Sequence, residues 1–71
     1  MNYQVGDIIE YRPFGGGLRQ VAVQNKEADV KNGYAGFDGC LVNPDGSLDE
    51  GPFSGVWGYD YQIVRVVKQH A

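Results

Sequence analysis

Gly55-Val56-Trp57-Gly58-Tyr59-Asp60-Tyr61-Gln62-Ile63-Val64-Arg65-Val66-Val67 is the most β-favouring run of the chain. It holds the only Trp, two of the five Tyr and a closing block of β-branched residues. Such side chains suit a pleated, half-buried surface. Phe53 to Trp57 reads as one strand and Gln62 to Lys68 as the last one, with at most a single helical turn at Tyr59-Asp60-Tyr61. Upstream lie short apolar runs separated by turn residues, which fold back on this end as β-structure.

Working outward from it, Ile8 to Arg12 reads as a first strand, preceded by a Gly6-Asp7 turn and ended by Pro13, which lacks a ladder donor. Pro13-Phe14-Gly15-Gly16-Gly17 is a loop. Leu18 to Lys26 is a second strand, with Val21 and Val23 on one face and Gln20, Ala22 and Gln24 on the other. Glu27 to Lys31 is too short to hold a helix alone and reads as irregular structure or a short turn. Asn32-Gly33 is the strongest turn signal, because both residues accept the positive φ of a type I′ hairpin turn. Gly36 to Val42 follows as a third strand whose glycines predict a bulge or sharp bend. Asn43 to Pro52 is a long polar excursion.

The fold class is therefore all-β: a small five-stranded antiparallel barrel or a strongly bent sheet. The 71 residues make a single domain, 1–71. Gly, at 11 residues, is abundant enough to demand many turns. The expected core is Ile8, Val21, Val23, Phe37, Leu41, Trp57, Ile63, Val64 and Val66.

Charge and motifs exclude more than they assign. The net charge of −3 conceals a segment, residues 27–60, that carries −6. Six scattered basic residues argue against nucleic acid, which needs several phosphate contacts. No apolar run approaches the length of a membrane span. The first residues lack a basic start and an apolar stretch, and Cys40 has no internal partner, so a cytoplasmic location is expected. One Cys and His70 cannot close a zinc site. Asn43-x-Asp45-Gly46-Ser47-x-Asp49 resembles the middle of a calcium loop, but Leu41 and Pro52 stand where its terminal acidic ligands belong. A solvated turn is expected there. No triad is discernible, Gly15-Gly16-Gly17 lacks the Lys-Ser/Thr of a phosphate loop, and no cofactor is implied.

Val5-Gly6-Asp7-x-Ile9-x-Tyr11 and Tyr59-Asp60-Tyr61-Gln62-Ile63-Val64 resemble the ends of Src-homology-3-like (SH3-like) small barrels. That resemblance implies a Gly-Asp turn before the first core strand and a short helical turn before the last. Tyr59-Asp60-Tyr61 is similar to the Tyr-Asp-Tyr of the peptide-binding eukaryotic domains, where it sits near the N-terminus, so those ligand residues are not carried over. The compact form also resembles the small uncharacterised proteins of actinobacterial phages and prophages, a likeness that implies no activity.

Aromatic residues are the one feature with binding potential. Tyr and Trp combine an apolar face with a polar handle and favour interfaces. Tyr11, Phe14, Tyr34, Trp57 and Tyr59 are expected around one loop-lined patch ringed by Asp38 and Asp60. The function expected is a non-enzymatic interaction module that binds a protein, as a phage accessory protein acting on a host or viral partner would. One alternative is a nucleic-acid-associated barrel that gathers Arg12, Arg19, Lys26, Arg65 and Lys68 on one face. The other is a structural protein that forms homo-oligomers through strand edges or exposed aromatics.

Overall fold

The computed structural model describes residues 2–69, so the expectations for His70 lie outside the described residues. Five strands and one 3-10 turn follow in order: β1 Ile8–Tyr11, β2 Arg19–Lys31, β3 Tyr34–Leu41, β4 Gly55–Tyr59, the turn Asp60–Gln62, and β5 Ile63–Lys68. All pairs are antiparallel, and the spatial order is β4-β3-β2-β1-β5. β4 and β5 are therefore edges of one open sheet. The bent sheet forms; closure into a barrel does not. Among the described residues no helix is long and apolar enough to cross a membrane.

Local chemistry explains the turns. Asn32 and Gly33 have φ of +57° and +81°, so the expected hairpin turn forms where positive φ is tolerated. Asp29 Oδ1 accepts the Gly33 N–H at 2.9 Å and braces it. Because that turn is tight, Glu27 to Lys31 continues β2 instead of forming irregular structure or a turn, and Lys31 faces Tyr34 across the hairpin. The expected bulge also forms, but on the partner strand. Val23 faces Gly39 and Asn25 faces Asp38, which leaves Gln24 as the extra residue.

The core holds Tyr3, Ile9, Tyr11, Val21, Val23 and Phe37, flanked by Leu41, Val56, Ile63 and Val66. Phe37 meets Tyr11 and Tyr3 edge-on, at ring-centroid distances of 5.2 and 6.2 Å. This is the favoured geometry for aromatic pairs. Three expected core residues are corrected. Ile8 is only partly buried because strand parity turns Ile9 inward, while Val64 and Trp57 are exposed. Tyr3 fills the space instead, with the Lys26 ammonium 4.5 Å from its ring and bonded to its carbonyl.

Close approach dictates glycine at two places in β3. A Cβ at Gly36 would lie 2.2 Å from the Gly58 carbonyl oxygen, and one at Gly39 would lie 2.1 Å from that of Ala22. Neither backbone atom can yield cheaply. Tyr59 is the cross-strand neighbour of Gly36.

Candidate functional site: an aromatic patch centred on Tyr59

β4 alternates strictly. Val56 and Gly58 face the core, so Trp57 and Tyr59 face the other way, beside Asp38 and Gly36 of β3. Tyr34 has the same parity on β3 and joins them. The 3-10 turn then brings Tyr61 back, and its ring stacks on that of Tyr59 at 5.1 Å with the planes 9° from parallel. Phe14 arrives from the glycine loop, which a Gly16 N–H bond to the Pro13 carbonyl closes at 3.2 Å.

Tyr59 is the hub. Its ring meets those of Trp57 at 5.4 Å, Tyr34 at 5.7 Å and Phe14 at 6.3 Å, as well as Tyr61. Tyr59 is 7% exposed, yet it lies outside the core cluster, so its cover is the surrounding rings. Those rings are not covered in turn: Phe14 is 76% exposed, Tyr61 61%, Tyr34 57% and Trp57 47%. Four exposed rings around a buried fifth make a contiguous apolar surface on so small a protein, the kind of feature that marks interaction sites.

The electrostatics favour cations. Lys31 Nζ lies 5.6 Å from the Trp57 ring centroid, within cation–π range. Asp38, the cross-strand neighbour of Trp57, accepts a bond from Asn25 Nδ2 at 2.8 Å and remains on that face. The Tyr61 hydroxyl is pushed above its ordinary value by desolvation, then by the nearby Tyr59 and Tyr34.

Of the expected patch residues, Phe14, Tyr34, Trp57 and Tyr59 do come together, with Asp38 alongside. Tyr11 does not: it is buried in the core against Phe37. Asp60 is occupied by the Tyr3 hydroxyl at 2.5 Å and ties two segments together. Tyr61 was missing from the expected set, although its place two residues after Tyr59 was a usable signal. Beside the patch, an open groove of about 540 Å³ runs between Arg12, Phe14, Tyr61 and Val64.

Other candidates are held in local structure. Asp45 accepts both the N–H and the hydroxyl of Ser47, which lowers its carboxyl below the usual range, and Asp49 caps Gly51. Among the described residues no group of three or more His, Cys, Asp or Glu is placed to hold a metal. The half-buried Cys40 thiol lies 3.3 Å from the Asp49 carbonyl. Of the five basic residues a nucleic-acid face would need, Arg65 pairs with Glu10 at 3.2 Å and Lys26 is anchored on Tyr3. Comparison with family models, curated proteins and solved structures gave no match.

Proposed function

We propose that the protein is a non-enzymatic interaction module whose binding surface is the aromatic patch, and that its partner is a protein presenting basic side chains. One observation carries this reading: rings from three separate stretches, Phe14, Tyr34 and Trp57-to-Tyr61, converge on Tyr59 while four of them stay in solvent. A core requirement does not account for exposed rings held this way. The −6 charge of residues 27–60 supplies complementarity to a basic surface, and the Lys31 ammonium beside Trp57 is an internal example of the contact.

In the fold, β5 returning to pair with β1 and a 3-10 turn before β5 support the SH3-like reading. In the phage setting that the second resemblance implies, the partner is a host or viral protein. Selection of a random displayed-peptide library by the wild type, Tyr34→Ala and Trp57→Ala tests the proposal. Peptides rich in Lys and Arg are expected, with affinity lost in both variants while their folds persist. Equal selection by all three proteins overturns it.

A further inference from the structure

The edge of β4 that faces away from β3 lies open beside the patch. Residues of an antiparallel strand alternate between bonding their neighbour and pointing away from it. The Leu41 N–H bonds the Ser54 carbonyl at 2.9 Å, which fixes the phase of the alternation. Val56, opposite Gly39, and Gly58, opposite Phe37, therefore bond β3 as well. Gly55, Trp57 and Tyr59 turn their N–H and C=O groups outward. The Tyr59 N–H is taken by Gln62 Oε1 at 2.9 Å. The outward backbone groups of Gly55 and Trp57 have no strand partner among the described residues.

Open edges are normally blunted by charge, proline or bulges. The other edge, β5, follows that rule: it carries Arg65 and Lys68, and its register against β1 shifts twice. β4 does not. Gly55-Val56-Trp57-Gly58-Tyr59 has no charge and no proline, and its register against β3 is unbroken. Gly55 is exposed and has open space where a Cβ would be.

We propose that β4 receives an extended, basic segment of a partner protein as a sixth, antiparallel strand. Its backbone bonds Gly55 and Trp57, and a Lys or Arg side chain opposite Trp57 projects onto the patch face toward Asp38, with Lys31 already placed over the Trp57 ring. Strand addition supplies affinity through main-chain bonds and specificity through alternate side chains. The residue paired with Trp57 projects on the same face as the patch, so one geometry satisfies backbone and ring together. Charge selects the occupant. A basic strand meets the −6 segment, whereas a second copy would set that segment against itself. This inference rests on the patch being the binding surface and adds how the partner is held.

The probe is a synthetic peptide of alternating Arg and Thr, with a Glu-Thr peptide as control, followed by residue-resolved amide exchange. The Arg-Thr peptide is expected to bind and to slow exchange at Gly55 and Trp57 by about tenfold or more, the effect of roughly one backbone bond. N-methylation of one alternate set of its amides should weaken binding about tenfold, and methylation of the other set should be silent. Three results overturn the inference: no binding by the Arg-Thr peptide, equal effects of both methylations, or exchange that slows at these amides with protein concentration alone, which would mean self-pairing. A fourth result, binding that Trp57→Ala abolishes while the peptide leaves exchange at Gly55 and Trp57 of the wild type unchanged, overturns strand addition and leaves the patch as the binding surface.

Discussion

The Tyr3 hydroxyl donates to Asp60 Oδ1 at 2.5 Å and lies 3.2 Å from the Gly36 carbonyl, so the start of the chain is fastened to the turn between β4 and β5. That turn carries Tyr59 and Tyr61. Tyr3→Phe keeps the ring packing and leaves Asp60 without its donor. A loss of about 1–3 kcal/mol in urea unfolding is expected. Because Asp60 sits between the two stacked rings in sequence, Tyr61 should also become more mobile, which relaxation measurements would register.

Alkali should unfold the protein through its buried phenols. Burial, and then the Asp60 carboxylate, raise the hydroxyl of Tyr3 well above the usual value of 10.0, and burial raises that of Tyr11 against an opposing effect of Arg19. The folded state thus holds protons that the unfolded state releases. Stability from these groups is complete below about pH 10 and falls as pH rises beyond it, by up to about 1.4 kcal/mol per pH unit per group. Unfolding followed from pH 8 to 12 should show this decline, and Tyr3→Phe should flatten it.

Gly36 and Gly55 should differ sharply in their response to alanine. At Gly36 the new methyl meets the Gly58 carbonyl and the Val30 side chain, so a loss of at least about 1–3 kcal/mol is expected. At Gly55 it meets nothing within 4 Å, and the change should stay within about 0.5 kcal/mol. Thermal unfolding of the two variants side by side makes the comparison.

Within the patch, exposure separates binding from folding. Tyr34→Ala and Trp57→Ala remove exposed rings and should fold, while each weakens partner binding by about 2 kcal/mol if it is a hot spot. Tyr59→Ala removes the buried hub and should cost about 3 kcal/mol of stability instead. Calorimetry on all three distinguishes the effects.

Much of this fold could be read from residue types alone. Asn32-Gly33, Pro13 and the β-branched blocks mark their turns and strands because each acts through its own backbone. Parity was harder. Ile8 and Ile9 are chemically alike, and only pairing with Val21 turns Ile9 inward. Tyr3 sits between polar neighbours with no periodicity, so its burial arises from contacts that only the folded sheet assembles, with Lys26, Gly36, Phe37 and Asp60. The patch was legible as a set of aromatics but not in its layering. Tyr59 at the centre and Tyr11 beneath the sheet differ by strand geometry, not by chemistry.

The position of Trp57 gives the protein an internal optical probe. As the sole indole in the sequence, 5.4 Å from the Tyr59 ring, it should accept excitation from the neighbouring tyrosines and dominate the emission. Its half-exposed ring is open to solvent on one side, so its emission should shift to shorter wavelength when that side is covered. A partner at the patch can therefore be followed by its colour, with no label attached.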